Sequence, residues 1–196
     1  MQQTRARASS GPVDSTRRSL LKLGAAAALS TTFPTILLPK ASVAAIARTP
    51  ERRLHLHLAH TGEIFDGIYW SRGHYVNEAM SEINRLFRDR HNAEVIAIDP
   101  KLLDTLAALR KRLETRTPFE VVCGYRSPET NEALYEEGEH VAKNSYHIKG
   151  MAVDIRCRDR DLHHLYRAAK SLRSGGVGYY GRAKFIHVDV GAVRTW

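Results

Sequence analysis

A chain of 196 residues, 43% of them hydrophobic, has room for one globular domain and an additional segment. A net charge of +9 would point to a nucleic-acid or membrane partner, but residues 1–44 hold six basic residues and one acid, so only +4 is left for the rest. The basic excess is concentrated in the N-terminal segment, which removes nucleic acid as the expected partner.

Within that segment, Ser15-Thr16-Arg17-Arg18-Ser19-Leu20-Leu21-Lys22 has the paired arginines and following apolar pair of a twin-arginine export signal. An alanine-rich apolar run, Leu23 to Leu38, follows and is broken by Pro34. Ser42-Val43-Ala44 then offers small residues for cleavage, with Ala45-Ile46-Ala47 as the alternative. A membrane span needs about 20 strongly apolar residues, so no stable span is expected after cleavage. The expected division is a signal peptide over 1–44 and one domain over 45–196. The twin-arginine translocase would carry that domain, folded, to the periplasm, where it acts as a monomer. Export in the folded state suits a metal site completed on folding.

The mature chain opens with Arg52 to His60, whose period-2 alternation predicts a half-buried strand. The turn Thr61-Gly62-Glu63 and the run Ile64 to Trp70 complete a hairpin. His55 and His57 share a strand face, a spacing that suits either a metal pair or a solvent-directed face of imidazoles opposite Leu54, Leu56 and Leu58, and the alternation alone accounts for the latter. His74 to Arg90 has apolar residues at helical spacing. Asp99-Pro100 caps and starts a second helix, Lys101 to Leu113. Phe119 to Cys123 is a buried strand, and Ser127 or Thr130 caps a helix over Asn131 to Glu137. Met151 to Ile155 has strand character, Asp161 to Leu172 is helical, and Lys184 to Val190 is the last strand. Ser174 to Tyr180 reads as a glycine-rich loop. This order predicts an α+β fold with a mainly antiparallel sheet and flanking helices.

Three polar groups interrupt these elements: His147 and Asp154 in Ser145-Tyr146-His147-Ile148-Lys149-Gly150-Met151-Ala152-Val153-Asp154, and His187 in Phe185-Ile186-His187-Val188-Asp189. Catalytic zinc takes three protein ligands and keeps one position open, and these residues supply that count. Gly-Tyr-Arg-Ser-Pro from Gly124, the central Ser-x-His-x-x-Gly-x-Ala-x-Asp and the late Ile-His-Val-Asp together resemble the zinc peptidases of peptidoglycan stem peptides. That family includes D-Ala-D-Ala carboxypeptidases, murein endopeptidases and the zinc domain of hedgehog proteins. The resemblance spans the mature chain and is strongest to the twin-arginine-exported murein endopeptidases.

The resemblance implies a hedgehog/D-Ala-D-Ala peptidase-like fold, Zn2+ held by His147, Asp154 and His187, and peptidoglycan stem peptides as substrate. It implies that Arg126 stabilises the oxyanion; the alternative is a structural salt bridge. Ser145 is expected to orient a neighbour within the site and, with Tyr180, to face substrate. Relatives often place a glutamate three positions, or a histidine two positions, before the last zinc histidine. Lys184 and Phe185 stand there instead. Asp189 is the first candidate for catalytic acid/base, with anchoring of a zinc ligand as its alternative. The implied reaction is hydrolysis of peptide cross-links, including the diaminopimelate–diaminopimelate type. A carboxypeptidase and a non-catalytic zinc-containing binding module are the alternatives. Cys123 and Cys157 are expected either as one disulfide or as two buried thiols.

Overall fold

The computed structural model describes residues 50–139 and 141–196; the export signal and both cleavage alternatives lie outside the described residues. Strand β1 (Arg52–Leu58) buries Leu54, Leu56 and Leu58 and turns His55 and His57 to the other face, as its alternation requires. It pairs antiparallel with β2 (Ile64–Ser71). Arg72 and Gly73 both take positive φ (53° and 86°), which suits a tight two-residue turn into β3 (His74–Tyr75). That pairing removes His74 and Tyr75 from the expected helix, and α1 begins only at Asn77 (Asn77–Leu86).

Helix α2 (Pro100–Leu113) starts as predicted, with the Asp99 side chain accepting from Lys101 N at 2.9 Å. Strand β4 (Phe119–Cys123) leads to α3 (Pro128–Glu136), whose cap is Ser127: its Oγ accepts from Thr130 N at 3.1 Å. A 3-10 turn (Tyr146–Lys149) then enters β5 (Ala152–Cys157), followed by α4 (Leu162–Leu172), capped by Asp161. The chain closes with β6 (Gly176–Tyr180), β7 (Phe185–Asp189) and β8 (Arg194–Thr195). The glycine-rich stretch expected as a loop is therefore largely a strand. Glycine contributes no side chain to a strand pattern, but β6 is held through its backbone by β7 on one side and β8 on the other.

The eight strands form one sheet in the order β3-β2-β1-β4-β5-β7-β6-β8, antiparallel except at β1–β4 and β6–β8. This is the α+β architecture with a mainly antiparallel sheet. Helices α2 and α4 touch each other and contact β1 and β5 to β7 respectively. Leu102, Leu103, Leu106 and Leu109 of α2 are fully buried with Leu56, Phe119, Ile155 and Ile186 of the sheet. Each such side chain contributes about 1.5–3 kcal/mol of burial free energy. Among the described residues no helix is long and apolar enough to cross a membrane.

Cys123 and Cys157 lie on the neighbouring strands β4 and β5, but Cys123 pairs with Asp154, three residues from Cys157. That offset is about 10 Å along the strand, beyond the reach of a disulfide. Both cysteines are free thiols.

Candidate metal centre

Alternation along β5 and β7 sends Val153, Ile155, Ile186 and Val188 into the core and turns Asp154, His187 and Asp189 to the opposite face. The register pairs Asp154 with His187 directly across the two strands. His147 arrives from the 3-10 turn ahead of β5. Ser145 Oγ accepts from His147 N at 3.3 Å and starts that turn. Gly150 ends it at φ 64°, where an added Cβ would stand 2.8 Å from Ala97 O. Three donor atoms are thereby brought together. His147 Nε2 lies 3.1 Å from His187 Nδ1 and 3.3 Å from Asp154 Oδ1, and the last two are 3.0 Å apart. Zinc bonds of about 2.0–2.1 Å in tetrahedral geometry separate their donors by about 3.3 Å. The triangle fits that ion.

The hydrogen-bond network leaves the required lone pairs free. His147 Nδ1 lies 2.6 Å from the carbonyl oxygen of Gly124, which only accepts, so Nδ1 carries the proton and Nε2 is available. Gly124 is held close by the chain it crosses: a Cβ there would stand 2.6 Å from Phe87 O. His187 Nε2 lies 3.0 Å from Asp189 Oδ2, so Nε2–H donates and Nδ1 faces the other two donors. Burial opposes ionisation of Asp154, but His147 and His187 beside it hold its carboxyl below the usual range. Burial likewise works against a charged His147, yet the Asp154 carboxylate outweighs it and raises that pKa. A cluster that attracts a proton in this way attracts a divalent cation by the same electrostatics.

Asp189 is placed differently from the acid/base expected of it. It is fully buried, and both oxygens are saturated. Oδ1 accepts from Gly176 N, Gly191 N and Arg194 Nη1; Oδ2 accepts from His187 Nε2 and Arg194 Nη2. Burial pushes its pKa up, but these donors prevail and hold it below the usual range. A carboxylate so surrounded orients a histidine and has no lone pair left for a reacting proton. Nothing in the sequence marked this, because Arg194 arrives from the separate strand β8.

Arg126 is nine-tenths buried beside the three donors. Its Nη1 donates to Asn131 Oδ1 at 3.1 Å, its Nη2 lies 3.6 Å from Cys123 Sγ, and it has no carboxylate partner among the described residues. Among the described residues the salt-bridge alternative therefore finds no partner, and the guanidinium lines the cleft. That cleft measures about 660 Å3 and is lined by Arg90, Arg126, Ser145, His147, Asp154, Tyr180, His187, Arg194 and Trp196 among others. Tyr180 stacks on Phe185 with centroids 4.8 Å apart and accepts from Trp196 Nε1 at 3.0 Å. Tyr125, which also lines the cleft, donates from its hydroxyl to Glu94 Oε1, and Tyr179 stacks on His163. Lys184, at the position of the relatives' glutamate, is exposed and has φ 58° just ahead of β7.

Sequence reasoning missed Cys123. A register shift between Val121 and Cys123 inserts one residue into β4 opposite β5. Strict alternation would put Cys123 in the core with Phe119 and Val121; the bulge pairs it with Asp154 instead. Candidate donor atoms of Cys123, His147 and Asp154 all lie within 4.8 Å of one another.

A family model described as peptidoglycan L,D-endopeptidase MepK matches residues 46–196. Peptidoglycan L,D-endopeptidase MepK of Escherichia coli K12 is 38% identical over 183 residues, covering 93% of this chain and 98% of the relative. The probable peptidoglycan L,D-endopeptidase MepK of Haemophilus influenzae is 38% identical over 186 residues, covering 94% and 97%. The Shigella flexneri relative of the same name matches to the same extent as that of E. coli.

Proposed function

This chain belongs to the peptidoglycan L,D-endopeptidase MepK family, and on that basis we propose that it is a periplasmic zinc-dependent murein endopeptidase that hydrolyses amide bonds in peptidoglycan peptide cross-links. His147 Nε2, Asp154 Oδ1 and His187 Nδ1 are the metal ligands. The reading rests on one observation above the others: three donors 3.0–3.3 Å apart, with both imidazoles held in the tautomer that presents a lone pair. Bound zinc supplies a Lewis acid that polarises a carbonyl and lowers the pKa of water toward about 7.

The chain's own residues do the rest. Arg126 offers a buried guanidinium, without a carboxylate partner among the described residues, to the oxygen that becomes negative in the transition state. Asp189, fixed by Arg194, keeps His187 in its ligating tautomer. Ser145 sets the turn that carries His147, and Tyr180 with Trp196 forms the aromatic wall against which a peptide lies. Residues 1–44 act as the twin-arginine signal that delivers the folded domain to the periplasm.

Purified sacculi incubated with the mature protein, with and without a chelator, test this. Loss of cross-linked muropeptides that the chelator blocks is the expected result. Release of terminal D-alanine with cross-links intact would make the protein a carboxypeptidase. No new muropeptides despite bound zinc would make it a binding module. His147→Ala and His187→Ala should each abolish zinc retention in the purified protein, and full zinc occupancy in either would remove the ligand assignment.

A further inference from the structure

Three guanidinium groups line the cleft: Arg194 is paired with Asp189, Arg126 stands beside the metal ligands, and Arg90 takes no part in the chemistry above. Arg90 is carried by a tight turn over residues 89–94. Asp89 N donates to Glu94 O and Ala93 N to Asp89 O, at 2.9 Å each, and Ala93 takes φ 63°. The turn is fastened to the corner that carries Arg126. Asp89, buried, accepts from Ser127 N at 2.7 Å, and Asn92 Nδ2 donates to Ser127 Oγ at 3.0 Å. Tyr125 N donates to Phe87 O at 2.7 Å, and the Tyr125 hydroxyl donates to Glu94 Oε1 at 2.9 Å. Arg90 and Arg126 are the chain neighbours of Asp89 and Ser127, so these bonds fix the backbone of one against that of the other.

The Arg90 side chain is oriented but not satisfied. Its Nε donates to His91 Nε2 at 2.9 Å. Its Nη1 lies 3.3 Å from His60 Nε2, but that nitrogen is 2.9 Å from the carbonyl oxygen of Val122, which only accepts. His60 Nε2 therefore carries the hydrogen and offers Arg90 no lone pair. Among the described residues the Nη1–Nη2 edge meets no acceptor and no carboxylate. Of the acids in the lining, Asp89 is held by backbone N–H groups and Asp154 by the two histidines, and Glu139 forms no ion pair with Arg90. A guanidinium fork of this kind matches a carboxylate, which it binds through two parallel hydrogen bonds. We propose that Arg90 binds a free carboxylate of the substrate peptide and so selects cross-links that carry an acid near the scissile bond. The inference rests on the cleft being the peptide site given under Proposed function. A cleft of about 660 Å3 holds a ligand of limited size, so the acid gripped there belongs to a residue close to that bond. Amidation removes the charge of that acid and replaces one oxygen with an NH2, which meets the N–H groups of Arg90 donor to donor. The contact is made in the ground state and the transition state alike, so it acts on KM and leaves kcat unchanged.

Two soluble cross-linked stem-peptide dimers test this, one with free carboxyl groups beside the cross-link and one with those groups amidated. Wild type, Arg90→Gln and Arg90→Lys, each loaded with zinc, are compared by kcat and KM on both. Arg90 is exposed, so neither substitution disturbs the core. The wild type is expected to prefer the free acid by about 10-fold in kcat/KM. Arg90→Gln should retain zinc and raise KM for the free acid by about the same factor, with kcat unchanged and the amidated dimer within about two-fold of wild type. Arg90→Lys keeps the charge without the fork and should recover part of the preference. Equal or faster turnover of the amidated dimer by the wild type would overturn the proposal. So would a preference that survives in Arg90→Gln, or a loss in that variant that strikes both dimers alike. Each of these results leaves the endopeptidase reading standing. No cleavage of either dimer by the zinc-loaded wild type would bring down that reading, and the role of Arg90 with it.

Discussion

Replacing Asp189 with asparagine separates the two roles this residue was open to. The carboxylate accepts five hydrogen bonds in full burial, three on Oδ1 and two on Oδ2. An asparagine must turn its NH2 toward one of these sets. Facing His187 and Arg194 it loses two bonds; facing Gly176, Gly191 and Arg194 it loses three. Hydrogen bonds to a charged group contribute about 1.5–3 kcal/mol each. Arg194 is 40% exposed, so water recovers part of its loss. A destabilisation of about 3 kcal/mol follows, which lowers Tm by about 6–12 °C in a domain of this size. In the orientation that loses fewer bonds the NH2 faces His187, whose Nε2–H then meets a donor, and the ring is no longer held with Nδ1 free. Zinc affinity should then fall by about 10–100-fold. Chelator competition gives the affinity, and thermal scans with and without chelator separate the fold from the metal. Unchanged zinc affinity and Tm with turnover abolished would refute this reasoning and return Asp189 to the role of proton carrier.

Three further outcomes are expected. Asp89 is buried and accepts from His91 N and Ser127 N at 2.7 Å each, and these bonds overcome its burial to hold its pKa below the usual range. Its folded pKa lies below its unfolded value of about 3.9, so its contribution is fully present above that pH and is lost as pH falls through the folded value; Asp89→Ala should flatten the acid limb of a Tm–pH profile. Gly124→Ala forces a Cβ to 2.6 Å from Phe87 O and should cost about 1–3 kcal/mol, visible as a lower urea midpoint. Two thiols per chain should titrate in denaturant without reductant, and a count of zero would contradict the offset of the two cysteines across β4 and β5.

Much of the fold could be read from local pattern. The alternation of Leu54, Leu56 and Leu58 and the Asp99-Pro100 start of α2 are signals that act within a few residues, and the structure follows them. The failures occur where the deciding partner is remote. His74 and Tyr75 carry helical spacing, yet their backbone pairs with Trp70 and Ser71 across a two-residue turn. Gly176 and Gly178 have no side chain to reveal a strand, and only β7 and β8 make one of them.

The same division runs through the site. The sequence singled out His147, Asp154, His187 and Arg126 for the proposed site, by residue type and by the resemblance their motifs carry. It also determined that His187 and Asp189 share a face, since strand side chains alternate. Tertiary structure decided what each does. Gly124 O and Asp189 choose the imidazole tautomers, Arg194 saturates Asp189, and a one-residue bulge turns Cys123 from the core to the face that carries Asp154. Residue identity and periodicity are properties of the chain. The free lone pairs at the site depend on donors and acceptors brought into contact from strands and turns tens of residues apart, and only folding brings them there.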